Sequence, residues 1–260
     1  MQSTTSSPEW IGVLRHGSGT FTGWAYRGRS TLGQAAGDTA SRLMEHLGVP
    51  AKMPAIVADD SAHGLTALPA AILPDAADLT KNPSLNGMEQ TAPAAILPPS
   101  ARLRIAGFLA LNPDWDGVVL LVMDGRSHWV HLSAGEAVSM ISFLTPMLAA
   151  NLGAPLGDAA PDIKALTNSQ SRPEALAAHL SSADLAGDEA AIAGHLLGAE
   201  LSASKPYWLG QNLALIADRR SASAYRAALA AQGLTVTETD ADAMAQNGFI
   251  ALHDCLNPVA

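Results

Sequence analysis

The sequence predicts an α/β fold with mixed sheets, and three observations carry the prediction. The first is Val118–Leu132, VVLLVMDGRSHWVHL, which reads as strand, Asp124-Gly125 turn and strand. The second is Ile11–Tyr26, IGVLRHGSGTFTGWAY, with the same grammar around Gly17-Ser18-Gly19. The third is the C-terminal half, where short apolar strands alternate with helical patterns. Two glycine-turned hairpins, one in each half, are also the plan of a nucleotide-binding architecture in which each half offers a hairpin to one string of phosphates.

The elements follow in chain order. Residues 1–9 carry no apolar period and read as a lead-in, and Ile11–Arg27 is the first hairpin. Residues 31–47 are expected to form a helix with Leu43, Met44 and Leu47 on one face, stopped by Gly48-Val49-Pro50. Residues 55–58 form a short strand running into Asp59-Asp60-Ser61. Residues 62–100 are proline-rich and irregular, with LPAAILP and APAAILP as proline-punctuated edge segments. A short helix is expected over 101–111, and Asn112-Pro113-Asp114 reads as a linker. The chain is therefore divided into domains 10–113 and 114–260. Beyond the second hairpin, 137–152 is expected to be a helix kinked at Pro146, and 153–186 mixes helix and loop. A helix over 188–205, closed by Pro206, carries Gly194 and Gly198 four apart, so one of its faces is bare. A strand at 213–217, a helix over 221–232 ended by Gly233, a strand at 234–239 and a last helix over 241–252 complete the chain.

Composition bounds the function. The chain has 260 residues, enough for one large or two small domains, and is 48% hydrophobic. A net charge of −9 opposes nucleic-acid binding, which needs a basic face, and attachment to an anionic membrane surface. The single cysteine, Cys255, excludes an internal disulfide and a CxxC metal site. The N-terminus lacks a signal pattern and no apolar run reaches the roughly 20 residues of a membrane span, so a cytoplasmic protein is expected.

Candidate chemistry gathers at the two hairpins. Gly17, Ser18 and Gly19 are followed by a strand rather than a helix, which opposes a dinucleotide fingerprint, and no P-loop is present. A glycine hairpin still offers backbone N–H groups to an anion, or is an ordinary tight turn. Asp124 ends an apolar strand, where a carboxylate can hold Mg²⁺ or simply make a type I′ turn. Arg126 can contact phosphate or be solvated. His128 and His131 point to opposite faces of a strand, so they do not chelate one metal. His253-Asp254-Cys255 reads as surface or packing. No GxSxG elbow offers a nucleophile.

At these residues the chain resembles the 2-dehydro-3-deoxygalactonokinase family of actin-like, two-domain ATPases. LLVMDGRSHWVHL resembles the family's LLPGTHSKWV at Ser127, Trp129 and Val130. AGHLLGAEL at 193–201 resembles SGLLIGAEV at Gly194, Leu196, Gly198, Ala199 and Glu200. LALIADRRSASAYRAALAAQG resembles the strand and helix beside the family's adenosine site, and IGVLRHGSGTFTGWAY matches its N-terminal hairpin at Gly17, Ser18 and Trp24. The resemblance implies an actin-like (ribonuclease H-like) fold with a cleft between two domains. It also implies ATP and Mg²⁺ as cofactors and a small sugar acid as substrate, and it leaves a homodimer open. By the same resemblance Gly17, Ser18, Gly125, Arg126 and Ser127 would contact nucleotide phosphates. Arg15 would hold substrate or another anion, and Asp124 would be the metal-side carboxylate and the catalytic candidate.

The departures from the family pattern remove charge. Its hairpin aspartate falls on Arg15, its tryptophan on His16 and its arginine on Thr22. Its MRGEET acidic pair falls in Ser100–Arg104, which has no carboxylate. The glutamate of MTGEL becomes Met147, the histidine and lysine of GTHSK become Arg126 and His128, and the glycine after the ALIA strand becomes Asp218. The chain is also shorter between 34 and 60. Such kinases need carboxylates to hold Mg²⁺ and deprotonate a hydroxyl, and loss of a general base costs about 10²–10⁴ in rate. Three readings follow: an ATP- and Mg²⁺-dependent sugar-acid kinase, a non-catalytic homologue that binds a sugar acid, an anion or a partner protein, or a likeness of fold alone.

Overall fold

The structure, a computed structural model, describes residues 7–81 and 83–257. The chain divides into two compact units: Met1–Glu89, Ile96–Asp114 and Asp242–Ala260 form unit 1, and Gln90–Ala95 with Trp115–Ala241 forms unit 2.

Unit 1 starts with β1 (Trp10–Arg15), β2 (Phe21–Arg27) and β3 (Ser30–Gly37), then α1 (Ala40–Leu47) and β4 (Ala55–Asp59). Short segments follow: β5 (Leu65–Ala67), β6 (Ala70–Ala71), α2 (Ala76–Lys81), β7 (Ser84–Leu85), β8 (Gly87–Gln90) and β9 (Ala95–Leu97), ending in α3 (Pro99–Leu111). The main sheet runs β3-β2-β1-β4-β7. Its first three strands are antiparallel neighbours, whereas β4 runs parallel to β1 and β7 parallel to β4.

The expected helix over 31–47 is thus a strand followed by a helix. Thr31 to Gly37 pair along β2 as an exposed edge, and the helix begins only where Thr39 caps it, its hydroxyl accepting from the Arg42 N–H at 3.2 Å. Gly37 makes the corner, since a Cβ there would lie 2.8 Å from the Leu43 nitrogen.

Unit 2 holds β10 (Gly117–Met123), β11 (Arg126–Ser133), β12 (Glu136–Phe143), α4 (Thr145–Asn151), α5 (Ile163–Ser171), a 3₁₀ turn at Pro173–Ala175 and α6 (Leu176–Ala186). Then come α7 (Glu189–Ala203), α8 (Lys205–Trp208), β13 (Leu213–Ala217), α9 (Arg219–Ala230) and β14 (Thr237–Asp240). The strands lie in the order β12-β11-β10-β13-β14, with an antiparallel meander and then two parallel additions. Position for position this repeats the order in unit 1.

Residues 137–152, expected as one kinked helix, are again strand then helix. Ala137 and Met140 are buried along β12, with Val138 and Ser139 between them where the pairing with β11 shifts register, and Pro146 opens α4 in its first turn, where its missing N–H costs nothing. Pro206 likewise opens α8 rather than closing α7.

The last helix, α10 (Ala241–Leu256), belongs almost wholly to unit 1. Here the structure differs from the two-block division 10–113 and 114–260. The reason is packing. A Cβ on Gly107 of α3 would overlap the Met244 carbonyl oxygen, and a Cβ on Gly248 of α10 would overlap that of Leu103. The two helices therefore cross with their backbones in contact, and Phe249 lays its ring on Gly12 of β1. Trp10, Trp24, Tyr26, Leu103 and Phe249 share this core. In unit 2, Gly194 and Gly198 let α7 press onto the Asp162 and Leu166 carbonyls at α5, as the bare face predicted.

Candidate functional site

In unit 1, β1 and β4 deliver their ends together because they are parallel and in register, Arg15 opposite Asp59. Arg15 Nη1 lies 3.3 Å from Asp59 Oδ2 and donates to Ser61 Oγ at 2.8 Å. Asp59 Oδ1 accepts from the Ser61 N–H at 2.8 Å and from its hydroxyl at 2.6 Å. Burial pushes the Asp59 carboxyl up, but the Ser61 hydrogen bonds and Arg15 outweigh it and hold it below the usual carboxylate range. Asp60 turns the other way, accepting the Ser100 N–H at 2.8 Å in the first turn of α3. The sequence showed Asp59-Asp60-Ser61 after a strand but not their partners.

The hairpin itself closes with His16 N–H on the Thr20 carbonyl at 2.9 Å, and Gly19 adopts φ +89°. Gly17 and Ser18 are exposed at the tip, with the Ser18 and Thr20 hydroxyls 2.9 Å apart. His16 and Thr22, which stand where the family has tryptophan and arginine, are hydrogen-bonded to each other at 2.9 Å.

In unit 2, Asp124 (φ 48°) and Gly125 (φ 76°) form the left-handed pair of a tight hairpin turn. Asp124 and Arg126 are exposed at the tip. The Gly125 carbonyl accepts from Met147 N–H at 3.0 Å, so the start of α4 sits against the turn. Ser127 does not fit the expected role of phosphate contact: its side chain is fully buried and donates to Glu200 Oε1 at 2.7 Å.

That bond belongs to a network that the sequence did not disclose. Glu200 Oε1 also accepts from Trp129 Nε1 at 2.9 Å, and Oε2 from Tyr225 OH at 3.0 Å; the Thr145 hydroxyl adds a fourth hydrogen bond. Burial pushes the Glu200 carboxyl up, and the four donors only partly offset it. Glu200, Trp129 and Ser127 are among the residues that carry the resemblance, and with Thr145 and Tyr225 they tie α7, β11, α4 and α9 into one core.

Asp218 occupies the N-terminus of α9. Its Oδ1 accepts from the N–H groups of Arg220 and Ser221 at 2.8 and 3.0 Å, and Oδ2 accepts the Ser221 hydroxyl at 2.8 Å. Burial raises the Asp218 carboxyl, and the helix N–H groups and Ser221 pull it below its ordinary value. A helix N-terminus favours an anion, and here the chain supplies its own. Beside it a hollow of about 230 Å³ is lined by Ala217, Arg219, Ala222, Glu238, Thr239 and Asp240, at the carboxyl ends of the parallel strands β13 and β14. Open α/β sheets bind ligands at such ends.

Neither set of donors suits the cofactors that the resemblance implies. Mg²⁺ takes oxygen ligands, and the end of β1 presents a guanidinium whose partner carboxylate is already engaged. Asp124 is a lone exposed carboxylate two residues from Arg126; among the described residues no three His, Cys, Asp or Glu side chains gather into a metal site. ATP phosphates near α9 would meet the Asp218 carboxylate, with Glu238 and Asp240 lining the hollow next to it.

Two units with the same strand order, each an antiparallel meander extended by parallel strands, define an actin-like fold. Solved structures agree. A provisionally assigned 2-dehydro-3-deoxygalactonokinase protein from Sinorhizobium meliloti superposes with a TM-score of 0.82 at 18% identity, over 96% of this chain and 100% of that one. The activator of 2-hydroxyisocaproyl-CoA dehydratase from Clostridium difficile, solved with ADPNP, gives 0.52 at 11% identity, over 95% of each chain. Component A of (R)-2-hydroxyglutaryl-CoA dehydratase from Acidaminococcus fermentans gives 0.51 at 10%, over 94% of this chain and 95% of that one. Residues 165–252, about a third of the chain, match the model of the 2-keto-3-deoxy-galactonokinase family, the one the sequence resembles. No curated protein sequence matches the chain. No helix among the described residues is long and apolar enough to cross a membrane.

Proposed function

We propose that this chain is a sugar-acid-kinase homologue in which phosphoryl transfer is weak or lost, and which retains the fold as a binding protein. One observation carries the reading: Arg15, at the position of the family's hairpin aspartate, is paired with Asp59. A kinase needs negative charge there to hold Mg²⁺, and the pair supplies a guanidinium and a neutralised carboxylate. The self-capped α9 points the same way, since Asp218 satisfies N–H groups that would otherwise face an anion. Isothermal titration with ATP, with and without Mg²⁺, followed by a coupled assay with 2-dehydro-3-deoxygalactonate, tests the proposal. The expected result is no magnesium-dependent binding at millimolar ATP and no turnover above background. Substrate-dependent ATP hydrolysis would overturn it.

A second reading keeps the activity. Asp124, exposed at the tip of the β10–β11 turn, would be the metal-side carboxylate for ATP·Mg²⁺, with Gly17, Ser18, Gly125 and Arg126 around the phosphates. In that case Asp124→Asn abolishes turnover, and an unchanged rate sinks the assignment.

A further inference from the structure

Three helices of unit 2 meet at one hydroxyl. Ser169 of α5 is fully buried, and its Oγ lies 2.9 Å from His179 Nδ1 of α6 and 2.9 Å from His195 Nδ1 of α7. The two imidazoles stack, with centroids 4.6 Å apart and planes 23° from parallel. A serine hydroxyl has one hydrogen to give and two lone pairs. It therefore donates to one Nδ1, and the other ring must bring its own Nδ1–H. Two neutral rings of opposite tautomer satisfy both bonds. A first proton also fits, because the ring that already donates through Nδ1 takes it at Nε2. A second proton does not fit. It lands on the Nδ1 that accepts from Ser169, ends that hydrogen bond and sets two cations face to face.

The surroundings do not relieve the second charge. His195 is 8% exposed, and burial, with His179 beside it, keeps its proton affinity below that of an ordinary histidine. The Ala165 carbonyl and the carboxylates of Asp162 and Asp188 favour its charged form without prevailing. Both carboxylates are engaged as helix caps, Asp162 on the Lys164 N–H at 2.7 Å and Asp188 on that of Ala191 at 2.9 Å. Lys164 of α5, Arg172 and Glu174 by the 3₁₀ turn, Asp184 of α6 and Glu189 of α7 are exposed. So are Lys205 of α8 and Arg219, Arg220 and Arg226 of α9, whereas α4 carries no charge and Glu200 is held in its own network.

Helix α6 depends on this tie. Of its 11 residues only Ala183 is buried, and Leu180 is partly buried against the core. Among the described residues His179 makes the only side-chain hydrogen bond from α6 to another helix.

We propose that Ser169, His179 and His195 form a pH-operated latch: with at most one proton on the two rings it holds α6 against α5 and α7, and the second proton releases α6 while the rest of unit 2 stays folded. The latch uses neither hairpin, so it goes beyond the nucleotide reading, and failure of ATP binding leaves it standing.

Hydrogen exchange of the full chain tests it, read as protection factors so that the intrinsic pH dependence of exchange divides out. Between about pH 7.5 and about pH 5, on either side of the ordinary histidine value, the amides of α6 should lose protection at least roughly tenfold more than those of β10 and β13. His179→Phe keeps a stacked ring that takes no proton and should hold α6 at both values. His128→Asn removes a separate acid liability on the sheet and should leave the loss in α6 in place. An unchanged α6 at the lower pH overturns the proposal. So does an equal loss throughout unit 2, a loss that persists in His179→Phe, or one that vanishes in His128→Asn. Should His179→Phe leave α6 unprotected at both values, the ring resonances of the parent decide. Two separated protonation steps, the second coinciding with the loss in α6, support the latch, and two rings titrating together near about 6.5 overturn it.

Discussion

Arg15 and Asp59 stand opposite each other at the ends of two adjacent parallel strands, 3.3 Å apart, and share Ser61: Arg15 donates to its hydroxyl, and Asp59 accepts from its N–H and its hydroxyl. The pair sets the sign of charge at the end of the β1–β4 layer. Its side chains are 41% and 23% exposed, so a double-mutant cycle should return a coupling of about 1 kcal/mol or less that falls with salt. The larger effect is on cations. Arg15→Asp places two carboxylates together, and millimolar Mg²⁺ should then raise the melting temperature of the variant and not of the parent. A variant indifferent to Mg²⁺ would show that Arg15 is not what excludes the ion.

The carboxylate of Asp218 and an external anion compete for one helix terminus. Asp218→Gly should cost only a few tenths of a kcal/mol, because glycine is a fair N-cap. Phosphate or ATP should stabilise the variant more than the parent in a thermal shift assay. Equal shifts would separate the α9 terminus from nucleotide binding.

Removing the Glu200 carboxylate leaves the Trp129 N–H and three hydroxyls without their shared acceptor. Glu200→Ala should destabilise unit 2 by about 3 kcal/mol or more, measured by urea denaturation. Glu200→Gln should cost less, since the Ser127, Thr145 and Tyr225 hydroxyls can rotate to accept from the amide.

His128 is buried on β11, its Nδ1 2.8 Å from the Ser142 hydroxyl, and burial with help from Arg126 brings its pKa down to about 4. The unfolded chain therefore binds a proton near 6.5 that the folded chain refuses. Stability is full above that value and declines as pH falls toward 4, by about 3 kcal/mol in all. His195 is also lowered, chiefly by burial and then by His179, and acts in the same direction. His128→Asn should flatten the profile between pH 6.5 and 4 in urea titrations; an unchanged slope would place the proton elsewhere.

Gly107→Ala or Gly248→Ala forces two helices apart at their backbones and should cost about 1–3 kcal/mol or more. Gly17→Ala, with nothing within 4 Å of its added carbon, should fall within about 0.5 kcal/mol of the parent.

Both hairpins, the strand at 213–217, the strong helix expected over 188–205 and found over 189–203, and the bare Gly194/Gly198 face were legible because each rests on a local signal: a glycine turn, a five-residue apolar run, or two glycines four apart. The edge strands β3 and β12 were not. Their sequences, STLGQAAG and EAVSMISF, carry small residues that a helix accepts equally well, and it is the neighbouring strand that settles the matter. At the candidate sites, the departures Arg15 and Asp218 could be read from the sequence. Their partners could not, because Asp59 lies 44 residues from Arg15 and Glu200 lies 73 from Ser127. The exchange of α10 into unit 1 was hidden for the same reason.

That exchange orders events during synthesis. Residues 115–241 emerge as one uninterrupted stretch and hold the five strands β10 to β14. The earlier unit must wait for Phe249 to cover Gly12 and for Gly248 to meet Leu103. On the ribosome the later half of the chain can therefore finish before the earlier half, which leaves Trp24 and Leu103 uncovered on a nascent chain until α10 emerges.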